Sequence, residues 1–180
     1  MKYKRYIQPG GTYFFTVVTY KRRKIFQDDE AILLFMKSVK HVMKNRPFEI
    51  PAYCIIPNHI HMIWTLPESD GDFPTRWRLI KSYFSKNWKQ DHQKASTSSR
   101  GNKNEQMVWQ RRYWEHYIRD DDDLNKHIDY IFYNPVKHGY VDAPSKWKYS
   151  SFLDYVEKGL YSIDWGLKMD TEYFRDIGSE

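Results

Sequence analysis

His59 and His61 stand one residue apart in the apolar run Pro57-Asn58-His59-Ile60-His61-Met62-Ile63-Trp64. Side chains alternate across extended backbone, so the two imidazoles share one face of a strand while Ile60, Met62, Trp64 and Leu66 share the other. Two imidazoles side by side are half of a divalent-metal site. A pair of half-buried strand histidines is the plainer alternative, and spacing alone does not decide between them. A catalytic metal needs a third ligand. The run His127-Ile128-Asp129-Tyr130-Ile131-Phe132-Tyr133-Asn134-Pro135 offers one. Tyr130 and Asn134, four residues apart, lie one above the other on a single helix face, separated by about 6 Å of rise. A tyrosine hydroxyl is a nucleophile once deprotonated, and an amide carbonyl is an oxygen donor for a hard cation. Asn134 has an equal alternative as the N-cap of a new short helix over residues 135–138, closed by Gly139. Tyr133 is the rival nucleophile, on a neighbouring face. His127, three residues before Tyr130, is within reach of it on the helix surface. His116 reads more simply as a structural strand histidine. No residue identifies itself as the base that would take the Tyr130 proton.

These groups need a scaffold. Residues 13–20 are β-branched and aromatic, a strand, followed by the basic cluster 21–24. Apolar residues at helical spacing over 30–45 predict a helix stopped by Pro47. Residues 48–56 and 59–66 predict two strands joined by a tight Pro57-Asn58 turn. Pro74 opens a helix running to about residue 89, with Trp77, Ile80, Phe84 and Trp88 as its apolar stripe. Residues 91–106 are polar and predict a mobile loop. Residues 108–118 predict a fourth strand. Asp120 to Asp123 suit a helix N-terminus, and Leu124, Ile128, Ile131 and Phe132 continue that helix as a core stripe. The first six elements give an α+β, ferredoxin-like split βαβ arrangement: an antiparallel sheet with helices on one face. The helix carrying Tyr130 then lies near the strand carrying His59 and His61. In this layout the histidines sit on the open face.

One domain is expected over residues 1–180, with residues 145–180 as a C-terminal extension. The chain carries a net charge of +6 and 18% aromatic residues, including 15 Tyr and 7 Trp. Cations for phosphates and flat rings for unstacked bases are what a nucleic-acid binder needs. A solvated basic surface over an aromatic core is the alternative. The single cysteine, Cys54, sits in an apolar strand and predicts a buried thiol in a reducing cytoplasm. No apolar run approaches the ~18–20 residues needed to span a bilayer.

The Pro57 to Trp64 strand resembles the HUH motif (His, hydrophobic, His) of single-tyrosine transposases. The resemblance extends to Arg46-Pro47-Phe48-Glu49-Ile50, to Trp109-Gln110-Arg111-Arg112-Tyr113-Trp114-Glu115-His116, to Asp129-Tyr130-Ile131 and to Asn134-Pro135-Val136-Lys137-His138-Gly139. It continues through residues 147–152 and the 159–165 tail. Together these segments are similar to the REP-associated tyrosine transposases. The resemblance implies His59, His61 and Asn134 as ligands of Mg²⁺ or Mn²⁺ and Tyr130 as nucleophile. It implies cleavage of single-stranded DNA beside a hairpin, through a 5′-phosphotyrosine and a free 3′-OH. It also implies a monomer, with dimers known among related single-tyrosine transposases. For DNA contacts, Lys4, Arg5, Lys21, Arg22, Arg23, Arg111 and Arg112 are the expected cations, and Tyr6 and Trp109 the expected stacking rings. Two other classes stay in view. One is a non-catalytic nucleic-acid-binding module of the same fold. The other is a small Zn²⁺ hydrolase, which lacks a strong third ligand.

Overall fold

The computed structural model describes residues 6–88, 108–167, 169, 171–174 and 177. Lys4, Arg5 and the expected loop at 91–106 lie outside them. Four strands, β1 Thr12–Val18, β2 Tyr53–Ile56, β3 His59–Thr65 and β4 Trp114–Tyr117, form an antiparallel sheet in the order β2-β3-β1-β4. Four α-helices accompany them among the described residues: α1 Asp29–Met43, α2 Phe73–Asn87, α3 Asp121–Lys137 and α4 Phe152–Glu157. The order through β4 is βαββαβ, and with that strand order it is the ferredoxin-like α+β arrangement the pattern predicts.

Each long helix starts on an aspartate. Asp28 accepts from Glu30 N at 2.8 Å, Asp72 from Thr75 N at 3.0 Å and Asp120 from Asp123 N at 2.8 Å. These bonds satisfy amide donors that a first helical turn leaves over. Pro57 and Asn58 close the β2–β3 hairpin, pairing Ile56 with His59. Two strands are shorter than their apolar runs. Pro51, which has no amide proton, lies within the first, and only Glu49 of the earlier stretch bridges to Thr65. In the other, Trp109 makes a lone bridge to Thr19 and regular pairing begins at Trp114.

The sheet is buried on both sides. On one face Phe15, Val17, Ile60, Met62 and Trp64 pack against Phe35 and Val39 of α1 and Trp77, Ile80 and Phe84 of α2. Trp64 and Trp77 stack with centroids 4.2 Å apart and planes 15° apart. On the other face Phe14, Cys54, Ile56 and Ile63 lie under Ile128, Ile131 and Phe132 of α3 and under Phe152 and Phe174. The histidine face is therefore covered, not open. A helix following β4 with its own apolar stripe has only that face left on which to bury it. Residues 149–151 run along the outer edge of β2: Ile55 N donates to Tyr149 O at 2.9 Å and Ser151 N to Tyr53 O at 3.0 Å.

Candidate functional site

Strand register places the first groups. Thr16 of β1 pairs with His61 of β3, and both point to the α3 face. The Thr16 hydroxyl lies 3.0 Å from His61 Nδ1, and Asn58 Oδ1 lies 2.8 Å from His59 Nδ1. An amide carbonyl oxygen only accepts, so His59 Nδ1 carries the proton. That leaves the His59 Nε2 lone pair to serve as a metal ligand, and His61 offers the same when the Thr16 hydroxyl accepts from its Nδ1. Both histidines are fully buried, with centroids 4.7 Å apart.

The helix supplies the rest. The Tyr130 ring, also fully buried, stands edge-on to His61 at 5.2 Å, to Phe14 at 5.9 Å and to Phe174 at 5.7 Å. Eight residues on, the His138 ring lies 5.1 Å from His59. Asn134 is midway between these contacts on the same stripe. It is fully buried, and among the described residues neither amide atom has a hydrogen-bond partner. Buried polar groups are rarely left so. Asn134 is not the N-cap that the Asn-Pro pair suggests, because α3 runs through Pro135 to Lys137. The helix ends at Lys137. Gly139, at φ +69°, donates to Val136 O at 2.9 Å and Tyr140 N to Pro135 O at 2.9 Å, a Schellman closure. Tyr133, the rival nucleophile, is turned away: its hydroxyl donates to Met169 O at 3.3 Å and its ring stacks on Phe174 at 5.4 Å.

His116, Asp123 and His127 form a second cluster, with candidate ligand atoms all within 4.8 Å. Its bonding is that of a clip between β4 and α3. Asp123 Oδ2 accepts from His116 Nε2 at 2.9 Å, Arg119 N at 3.1 Å and Arg119 Nε at 3.0 Å. His127 Nδ1 donates to Asp123 O at 2.7 Å. Burial works against the Asp123 charge, yet Arg119 and His116 hold this carboxyl far below the usual range. Burial pushes the His127 pKa down, which keeps the ring neutral. With that oxygen already holding an arginine and a histidine, the cluster is poorly suited to a cation. Phe14 stands between the two histidine groups, 5.4 Å from His61 and 4.9 Å from His127.

The expected DNA contacts divide. Lys21, Arg22, Arg111 and Arg112 are exposed and Arg23 is half-buried. Lys21 and Arg22 both hold φ of 53°, a left-handed conformation costly for side-chain-bearing residues. Thr19 ties that turn to the histidine hairpin: its amide donates to Asn58 O at 3.0 Å and its hydroxyl to Arg23 O at 2.6 Å. Trp109 is not offered to a base. It is 5% exposed, with its ring among Phe26, Phe35 and Phe84. An indole carries more apolar area than almost any side chain, and here the core takes it. Tyr6 is exposed, tilted against Tyr117 at 4.9 Å. Thr16, Asn58 and Lys137 join the site without having stood out in the sequence, while His138 joins it from among the weaker histidine candidates. Only the register of β1 on β3 reveals Thr16, whereas Lys137 and His138 were legible as steps of seven and eight from Tyr130.

A ferredoxin-like sheet, a paired-histidine strand and a buried tyrosine helix against it define a single-tyrosine HUH architecture. The family model described as "Transposase IS200 like" matches residues 9–134. A REP-associated tyrosine transposase of Escherichia coli K12 is 45% identical over 164 residues, covering 91% of this chain and 90% of its own. A Haemophilus influenzae relative named for the same group is 42% identical over 175 residues, 97% of this chain and 98% of that one. The solved structure of a REP-associated tyrosine transposase bound to a REP hairpin matches with a TM-score of 0.77 at 39% identity, over 95% of both chains. The chain belongs to the IS200-like transposases and, within them, to the REP-associated tyrosine transposases. No helix of the described residues is long and apolar enough to cross a membrane.

Proposed function

We propose that this transposase cuts and rejoins single-stranded DNA beside a hairpin, with Tyr130 as nucleophile and His59, His61 and Asn134 as holders of one divalent cation. The observation that carries the reading is the edge-on contact of the buried Tyr130 ring with His61 at 5.2 Å. The donor set suits a cation: two imidazoles with Nδ1 engaged, and a buried amide otherwise without partners among the described residues. Two nitrogens and one oxygen favour Mn²⁺ over Mg²⁺, which prefers oxygen throughout. When bound, the ion would neutralise charge on the scissile phosphate and orient it.

The chain's own groups do the remainder. Tyr130 Oη gives up its proton and bonds to phosphorus as the bond from phosphorus to the 3′ oxygen breaks, and that oxygen leaves as a 3′-OH. The new ester conserves the phosphodiester energy, so rejoining by a 3′-OH needs no nucleotide cofactor. Lys21, Arg22, Arg111 and Arg112 bind DNA phosphates, and Lys4 and Arg5 belong to the same reading. A substrate of the REP-hairpin kind, a monomeric enzyme and a cytoplasmic location complete it.

The test is a labelled single-stranded hairpin library with Mg²⁺ or Mn²⁺, cut by wild type and by Tyr130→Phe. The expected result is a covalent 5′ adduct that the variant does not form. Cleavage surviving in Tyr130→Phe would transfer the role to Tyr133 if an adduct still formed, and to a metal-bound water if none did. Tight hairpin binding with no cleavage under either metal would favour a non-catalytic binding module of the same fold.

A further inference from the structure

Tyr130, Asn134 and Lys137 follow one another at steps of four and three along α3, one continuous stripe of the helix. The Lys137 ammonium group, at the last helical residue, lies 3.1 Å from Tyr130 Oη and 4.7 Å from the centre of its ring. Lys137 is exposed at the surface. A cation near a helix C-terminus is ordinarily favoured, but that preference leaves the amine in water. Folding back over one tyrosine costs rotamer freedom and selects a particular partner. The Schellman closure at Gly139 fixes the turn from which the lysine departs.

We propose that Lys137 is a positioning residue for the Tyr130 oxygen, holding it on line and compensating the charge that gathers there; this rests on Tyr130 being the nucleophile. An ammonium has donors only, so it must engage a lone pair of Oη and leave the phenolic proton free to depart. As the Oη–P bond forms and that proton leaves, the contact becomes charge-assisted and tightens. In the return step a 3′-OH attacks phosphorus and the Oη–P bond breaks. The same ammonium then receives the departing phenolate charge. Phe14 and Phe174 supply no competing charge at the ring, and His61 stands edge-on to it. A group that acts on the charge shared by both directions lowers both barriers and leaves the equilibrium between them in place.

The experiment uses the full chain with Mn²⁺ and a hairpin-bearing single-stranded oligonucleotide that it cuts. Adduct formation, rejoining from the isolated adduct and hairpin affinity are measured for wild type, Lys137→Met and Lys137→Arg. Loss of a hydrogen bond to a charged group predicts roughly 10- to 100-fold slower cleavage in Lys137→Met. Rejoining should slow by the same factor, with hairpin Kd unchanged within about twofold and most of the rate recovered in Lys137→Arg. Wild-type rates in Lys137→Met would overturn the proposal, as would a loss explained by weaker hairpin binding. If Tyr130→Phe still formed the adduct, the nucleophile assignment would fail instead, whatever Lys137→Met did.

Discussion

Replacing Thr16 by valine exchanges one buried hydroxyl for a methyl and leaves His61 Nδ1 without the oxygen that sits 3.0 Å away. Thr16 is 4% exposed and His61 0%, so bulk water does not substitute. Two consequences follow from one missing bond. Stability falls by about 1–3 kcal/mol, the usual cost of orphaning a buried donor, which for a domain of this size lowers Tm by roughly 2–12 °C. The His61 ring also loses the contact that fixes its tautomer and orientation, and removal of such an outer contact typically weakens metal binding by about 10- to 100-fold. Valine's strand preference offsets little of this. The assay is a Mn²⁺ titration followed by electron paramagnetic resonance of the free ion, beside thermal melts of the same samples. Thr16→Ser serves as the control, because it keeps the hydroxyl and loses only the methyl. Wild-type Mn²⁺ affinity in Thr16→Val, or an equal loss in Thr16→Ser, would show that this hydroxyl does not orient His61.

Trp77→Ala removes one half of the fully buried stack with Trp64 and should cost about 3–5 kcal/mol in urea unfolding; a loss under 1 kcal/mol would mean that the helices close over the gap. Gly139→Ala keeps φ near +69° with nothing within 4 Å of the added methyl, so its cost of about 1 kcal/mol in a thermal melt should come from backbone conformation alone. The Asp123 carboxyl, held far down against burial by Arg119 and His116, stabilises the fold fully above the unfolded pKa of ~3.9 and progressively less as pH falls from there toward its lower folded value. His127, lowered by burial, contributes fully above ~6.5 and progressively less as pH falls through that value. Urea midpoints across this range should decline in two stages, and Asp123→Asn should flatten the more acidic one; an unchanged acid limb in that variant would remove Asp123 from the account. Arg22→Ala should reduce the slope of log K against log salt for a single-stranded oligonucleotide by about 0.7, the share of one phosphate contact. An identical slope would exclude Arg22 from the interface.

The ferredoxin-like order was legible because each element carried its own signal: a β-branched and aromatic run in β1, alternation in β3, helical spacing in α1 and α2. The placement of His59 with His61, and of Tyr130 with Asn134, followed from the same periods. What the periods could not show was which sheet face the helix after β4 would occupy, so the histidines read as open although they are buried. Thr16 is one of several β-branched residues in its strand, and only pairing across to His61 distinguishes it. Lys137 carried no assigned role, since sequence does not say where a flexible side chain folds. Trp109 failed for the opposite reason: a tryptophan in a basic segment serves a base or a core equally well, and packing decides.

The strip formed by residues 149–151 along β2 has a practical bearing on how this protein can be cut. It occupies main-chain groups at that border of the sheet, with the Trp147 indole adding a bond of 3.0 Å to Ile55 O. A chain ended before Trp147 would present the bare border of β2 to any other extended segment, including the same border of a second molecule. Shortened forms made to strip Phe174 from Tyr130 should therefore stop after Glu157, beyond α4, so that a change in turnover is not confounded with self-association.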